Sequence, residues 1–162
     1  MSIFEFLEQH HIVYQRYDHP PVYTVAEARE LVPPMPGVNT KNLFVRNKRG
    51  DRHILVVVGY GKQVDLQGLA RTLGEKRLGL ASQERLKRYL GVEPGAVSLL
   101  AIVNDARGEV EVIVDADVWA ADALKCHPLV NTSTLAISRQ DVVRLFYVTG
   151  HAYSVLDVPA RM

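Results

Sequence analysis

Apolar positions along this chain recur at two different spacings, and the changes between them mark its elements. Ile3, Phe4 and Leu7 follow Ser2-x-x-Glu5, a capping-box pattern that predicts a short first helix. Val13 to Tyr17 is β-branched and aromatic and predicts a strand. Thr24-x-x-Glu27 opens a second helix through about Val32, and Pro33, Pro34, Pro36 and Gly37 stop it in a stiff turn. Leu43–Asn47 and Ile54–Val58 flank Lys48-Arg49-Gly50-Asp51 and predict a β-hairpin. The unbroken run Val56-Val57-Val58 points to a central strand.

Beyond the hairpin, Asp65 caps a helix whose Leu66, Leu69, Ala70 and Leu73 share one face, with Gly74 ending it. Ser82 caps another that carries Leu86 and Leu90 and stops at Gly91. After a tight Pro94-Gly95 turn, Val97–Val103 and Val110–Val114 are expected as strands, and Asp117–Leu124 as a short helix. Thr134–Ile137 is expected as a strand, Ser138-x-x-Asp141 caps a last helix ending at Gly150, and Tyr153–Val158 closes the chain as a strand. Strands and helices mix without a regular βα repeat. The expected class is α+β, with a curved, largely antiparallel sheet and surrounding helices. No linker or repeat divides the chain, so residues 1–162 are expected to form a single domain.

Composition adds constraints. Hydrophobic residues make up 48% and charged residues 23%, an ordinary balance for a globular chain. No apolar run approaches the roughly 20 residues that span a bilayer, and the N-terminus has no secretory pattern. A cytoplasmic protein without membrane contact is expected. The lone Cys126 excludes an internal disulfide or a multi-cysteine zinc site, and neither a metal nor a cofactor is expected. The net charge of +1 hides an uneven distribution: residues 41–88 hold twelve Lys/Arg against four Asp/Glu. That stretch could meet phosphates or be merely solvated.

Several chemistries are absent. There is no P-loop, Gly-x-Gly-x-x-Gly, His-Glu-x-x-His or Gly-x-Ser-x-Gly. Gly59-Tyr60-Gly61-Lys62 reads as a strand-end turn, and His19 beside Asp18 makes no catalytic pair by adjacency alone. Cys126 and His127 are neighbours on an extended chain, so they point apart, and Cys126 reads as a small buried hydrophobe. What remains is Lys41-Asn42 at a strand entry and a distant His127. Together they could form a polar cluster that holds and hydrolyses a small activated ester. Taken by spacing alone, Lys41 reads first as a surface lysine pairing with an acid and His127 as a structural histidine bonded to backbone.

Five segments, in order, resemble one family. They are Tyr17-Asp18-His19-Pro20-Pro21-Val22-Tyr23-Thr24-Val25-Ala26-Glu27-Ala28, Lys41-Asn42-Leu43-Phe44-Val45-Arg46, Leu90-Gly91-Val92-Glu93-Pro94-Gly95-Ala96-Val97-Ser98, His127-Pro128-Leu129-Val130-Asn131-Thr132 and Thr149-Gly150-His151. The family is the YbaK/ProX-like aminoacyl-tRNA deacylases, related to the editing domain of bacterial prolyl-tRNA synthetases. The opening and the His127 block look like the free-standing branch that clears alanine from mischarged proline tRNA. The chain departs from the pattern at Ser98-Leu99-Leu100, where relatives have Ser-Pro-Phe, and at Tyr23, where phenylalanine is usual.

The resemblance implies a barrel-like sheet, no metal, and mischarged tRNA bound through its acceptor end. It leaves prolyl-tRNA synthetase open as a second partner. It implies an essential lysine at Lys41, a neighbouring amide at Asn42 and a histidine at His127. It also implies that the ribose 2′-hydroxyl helps activate water. Val22, Tyr23, Val25, Ala28 and Leu31 are candidates to line a pocket that accepts alanine and excludes proline by size. Thr24 and Gly95 join the binding set, as do Asn131 and Thr132, whose own spacing favours a turn held by side-chain hydrogen bonds. A cysteine-clearing deacylase, a non-catalytic tRNA- or synthetase-binding module, and a hydrolase of other esters remain alternatives.

Overall fold

The computed structural model describes residues 2–31 and 34–161, and the side chains of Val25, Ala28 and Arg29 lie outside that description. Val32 and Pro33 of the expected proline turn also lie outside it. In chain order the elements are α1 (Ile3–Gln9), β1 (Tyr14–Asp18), α2 (Val25–Leu31), β2 (Thr40–Asn47), β3 (His53–Gly59), α3 (Leu66–Thr72), β4 (Leu78–Leu80) and α4 (Gln83–Leu90). There follow two 3₁₀ segments (Pro94–Ala96 and Leu99–Asn104), β5 (Val110–Asp115), α5 (Ala116–Trp119), β6 (Ala123–Cys126), β7 (Ser133–Ser138), α6 (Arg139–Thr149) and β8 (Tyr153–Leu156).

The helix starts follow from local chemistry. Ser2, Asp65, Ser82 and Ser138 each accept a hydrogen bond from the backbone N–H three residues on. Gly91 and Gly150 end α4 and α6 at φ of 66° and 72°, a left-handed geometry that glycine adopts without a Cβ clash.

The strands form two sheets. One holds three strands in the order β1-β7-β6, the other five in the order β4-β2-β3-β5-β8. Pairings β1–β7, β6–β7, β2–β3 and β2–β4 are antiparallel, whereas β3–β5 and β5–β8 are parallel. The mixed α+β class and the mainly antiparallel pairing agree with expectation. The barrel-like closure is not seen: β1 and β6 end one sheet, β4 and β8 end the other, and among the described residues no ladder closes either. A single bridge, Val38 to Leu124, and the Thr40 hydroxyl donating to the Lys125 carbonyl (2.7 Å) link the start of β2 to β6.

Strand β3 is central and buried on both faces, which is why its sequence is continuously apolar. Leu55 and Val57 face a large core with Phe44, Leu124, Leu135 and Ile137, between the sheets. Ile54, Val56 and Val58 face a second core covered by Leu69 and Ala70 of α3. Two expectations fail. Val97–Val103 is not a strand: from Leu99 on it is the second 3₁₀ segment, because the Ser98 hydroxyl caps a turn by accepting from Leu100 N (3.2 Å), and Leu99 to Ile102 are buried all round. Asp117–Leu124 is cut after Trp119, because Ala123–Cys126 pairs with β7 instead. The three-residue β4 has no counterpart in the expected elements.

Candidate active site

A cavity of about 280 Å³ opens between the sheets, where β2 begins and β3 ends. It is small beside the roughly 300–1,000 Å³ usual for ligand sites. Three stretches build its main walls, and Pro94, Gly95 and Val97 border it from a fourth.

The first wall is β2. Thr40, Lys41 and Asn42 all border the cavity. Successive strand residues point to opposite faces. Asn42 shares its face with Phe44 and so looks into the space between the sheets. Lys41 reaches the cavity because it lies at the strand's open end. Among the described residues, no carboxylate lies within 4 Å of the Lys41 ammonium. Tyr60 stands just past β3 and closes this side; burial pushes its phenol up, so it stays a hydroxyl donor at neutral pH.

The second wall is the loop leading into β7. His127 is held from behind, because the buried Ser98 hydroxyl donates to its carbonyl at 2.6 Å. Leu129 takes φ of 67°, a left-handed conformation costly for a leucine, of order 1–3 kcal/mol. Burial pushes the His127 imidazole below the usual histidine range, and the charge of His19 adds to the effect, so His127 is neutral at physiological pH. Its Nδ1 is buried with no hydrogen-bond partner, and so is Oδ1 of Asn42. A buried polar atom left unpaired costs about 1–3 kcal/mol, so two in one cavity mark a place prepared for a polar ligand.

The third wall is the segment after β1. It is zipped to the His127 loop by His19 N to Thr132 O (3.0 Å), Val22 N to Asn131 O (3.2 Å) and Asn131 Nδ2 to Val22 O (3.2 Å). The Ser133 hydroxyl donates to Asp18 Oδ1 at 2.5 Å. These bonds bring His19, Val22, Tyr23 and Thr24 to the cavity opposite Pro94, Gly95 and Val97. Tyr23 stands at the rim, 76% exposed.

The cavity therefore gathers Lys41, Asn42, His127, Val22, Tyr23, Thr24, Gly95 and Asn131 of the residues expected from sequence. Leu31 and Thr132 do not border it. Leu31 ends α2 beyond the rim, and Thr132 turns its side chain to solvent while its carbonyl holds His19. The side chains of Val25 and Ala28 lie outside the described residues. Sequence reasoning missed His19, Thr40, Tyr60, Ser133 and Thr134. The Asp18-His19-Pro20 segment was the one available signal, and its partner lies more than a hundred residues away. Cys126 is buried, with its thiol pushed up to about 12, so it offers no thiolate nucleophile.

The basic stretch is less free than its sequence looks. Arg52 is paired with Glu75 (3.1 Å) and Glu111 (2.7 Å), and Lys62 with Asp115 (3.0 Å). Arg46, Lys48 and Arg77 line a separate shallow hollow around Gly79 and Leu80. Among the described residues, no three His, Cys, Asp or Glu side chains are grouped to hold a metal ion, and no helix is long and apolar enough to cross a membrane.

Comparison with known proteins places this cavity in context. The chain is 32% identical over 152 residues to the prolyl-tRNA editing protein ProX of Acetoanaerobium sticklandii, covering 94% of this chain and 93% of that one. It is 34% identical over 155 residues to the prolyl-tRNA synthetase associated domain-containing protein 1 of Danio rerio, covering 94% and 84%. Its fold matches a crystal structure of the hypothetical protein APE2540 (TM-score 0.75, 20% identity, 98% and 99% covered). It also matches a candidate trans-editing enzyme for prolyl tRNA synthetase (TM-score 0.67, 19% identity, 92% and 90% covered). Residues 19–145, which include every residue bordering the cavity, match the model of the aminoacyl-tRNA editing domain, and the chain belongs to that family.

Proposed function

We propose that this protein hydrolyses the ester of mischarged aminoacyl-tRNA, with alanine on proline tRNA as its preferred substrate. The observation that carries the reading is the pair of buried, unpartnered atoms, Asn42 Oδ1 and His127 Nδ1, in a small cavity bordered by Lys41. The family and the names of the relatives support the same reaction.

Each group has a role that suits its chemistry. An aminoacyl ester is already activated, so the site must position it and stabilise charge on its carbonyl oxygen. Lys41 supplies that charge as a fixed cation. His127 is neutral, and its Nδ1 accepts from the substrate α-amino group. Oδ1 of Asn42 accepts from a sugar hydroxyl. The cavity admits a small side chain and excludes a pyrrolidine ring by clash, which discriminates better than the loss of one methylene, worth roughly 1–3 kcal/mol. The uncompensated bases of the 41–88 stretch meet the acceptor-stem phosphates, which makes binding steeply salt-dependent.

The test is a deacylation panel: alanyl-, cysteinyl-, seryl- and prolyl-charged proline tRNA, with wild type and Lys41→Ala. Alanyl-tRNA should be cleared fastest and prolyl-tRNA spared. Rapid hydrolysis of prolyl-tRNA, or no turnover of any member, would end the proposal. A faster reaction on the cysteinyl ester would keep the deacylase and change its substrate.

A further inference from the structure

The cavity contains a second arrangement that the roles above leave unused. His19 and Thr134 both line it. His19 Nδ1 lies 2.9 Å from the carbonyl oxygen of Pro20, and His19 Nε2 lies 2.8 Å from Oγ1 of Thr134. A carbonyl can only accept, so Nδ1 carries the proton and Nε2 is left as the acceptor. The Thr134 hydroxyl therefore donates its proton to His19. This is the geometry of a hydroxyl polarised by an imidazole whose tautomer a third group fixes. The elements hold it firmly, because β1 and β7 pair in register from Tyr14–Ile137 to Asp18–Ser133; Thr134 lies within that ladder opposite Tyr17, and His19 follows its last pair, its backbone N–H donating to the Thr132 carbonyl.

We propose that Thr134 and His19 form the proton relay that activates the attacking water. This rests on the ester-hydrolase reading above. Water oxygen bonds to the ester carbonyl carbon and gives a proton to Thr134 Oγ1, while the proton of Thr134 passes to His19 Nε2. As the tetrahedral adduct collapses, its bond to the 3′-oxygen breaks. The proton returns from His19 through Thr134 to that leaving oxygen. The free amino acid and the tRNA hydroxyl result, and both residues regain their starting states. Lys41, the neutral His127 and Tyr60 line the same cavity as the imidazolium so formed, and Asp18, the last residue of β1, precedes it in the chain.

The experiment measures single-turnover deacylation of alanyl-charged proline tRNA across pH, with wild type, His19→Gln, Thr134→Val, Thr134→Ser and the double variant His19→Gln/Thr134→Val. Thermal melts of each variant accompany the kinetics. The single losses should lower the rate constant roughly 100-fold, with half-saturation changed less than about twofold. The ascending limb of the pH profile should vanish in His19→Gln. The double variant should be no slower than the worse single one, and Thr134→Ser should keep most of the rate. If Thr134→Val fails to fold, His19→Gln and Thr134→Ser still decide the matter. Folded His19→Gln with a wild-type rate and pH profile would overturn the relay. So would a wild type that stalls on a terminal 2′-deoxyadenosine ester while His19→Gln turns over the normal ester at full rate, since the base would then be the substrate's own hydroxyl. A wild type inactive on every aminoacyl ester would instead remove the hydrolase reading on which the relay rests.

Discussion

One buried and one half-buried histidine, and two partly buried lysines, sit in very different surroundings. His151 has Nε2 at 2.8 Å from Asp105 Oδ2 and Nδ1 at 2.8 Å from Thr149 Oγ1, and the same Asp105 oxygen accepts Val110 N at 2.8 Å. Lys62 lies 3.0 Å from Asp115 and donates to the Val158 carbonyl at 2.8 Å, tying the chain's last segment to β5. No buried side-chain polar atom of these residues lacks a partner within the chain. In the cavity, His127 Nδ1 and Asn42 Oδ1 have none, and Lys41 has no carboxylate among the described residues. The residue types are the same in both places. What separates a structural polar cluster from a site is an incomplete set of partners, which folding alone does not explain and a ligand would complete.

The sharpest way to break this comparison is to remove the two lysines separately. Lys41→Ala should cut deacylation by roughly 100- to 1,000-fold, the size of losing one oxyanion stabiliser, with little change in the urea midpoint. Lys62→Ala should do the reverse. It leaves Asp115, whose side chain is 2% exposed, as an unpaired buried charge and should cost roughly 3 kcal/mol of stability, while the folded fraction keeps its turnover. A Lys41→Ala protein that unfolds along with its activity would show that both lysines are structural.

The histidines should divide the same way with smaller effects. His151→Ala strands a buried Asp105 and should cost roughly 3 kcal/mol in a denaturant titration. His127→Ala should change stability by less than about 1 kcal/mol and slow deacylation roughly tenfold, the kinetic equivalent of one substrate hydrogen bond. Equal stability losses in the two variants would remove the distinction.

These contrasts also show why the sequence was legible in some places and not in others. The caps at Ser2, Asp65, Ser82 and Ser138, and the β2–β3 hairpin, are decided within a few residues, so their patterns predict them correctly. The run Leu99–Ile102 is apolar on all sides, and periodicity cannot tell a buried strand from a buried helical turn. Lys41, Asn42 and His127 could be singled out because they sit in motifs that resemble a family. His19, Tyr60 and Thr134 could not, since their meaning arises only when β1 pairs with β7 and β3 ends beside β2. Leu31, a pocket candidate by sequence, ends α2 and does not border the cavity.

A smaller test concerns what holds the incomplete site in place. Ser98 is fully buried, and its hydroxyl serves the His127 carbonyl and Leu100 N together. Ser98→Ala should cost about 1–2 kcal/mol by leaving a buried carbonyl unpaired. It should also slow deacylation several-fold through the displaced imidazole, with half-saturation rising less than the rate falls. A stability loss with unchanged kinetics would mean that the His127 loop keeps its place by the zipper to Val22 alone.

The smallest expected effect is the dependence of stability on pH, and it again separates two regions. His53 is buried against Tyr89 at 4.0 Å between ring centres; burial, then the charges of Arg85, Arg88 and Arg46, push its imidazole down. His127 is pushed down by burial and then by His19. Both bind a proton less readily in the folded chain than in the unfolded one, whose histidines titrate near 6.5. Below about that pH the unfolded state takes up more protons, so stability should fall as pH drops and level off only below the depressed folded values. Above it the full stability is present. A series of urea midpoints from about pH 8 to pH 5 measures the slope. His127→Gln should remove only the cavity's share, and the remainder, due to His53, should persist. Stability that rises on acidification, and no longer does so in His127→Gln, would mean that the His127 imidazole gains a carboxylate partner as it charges, and the cavity would then be complete without a ligand.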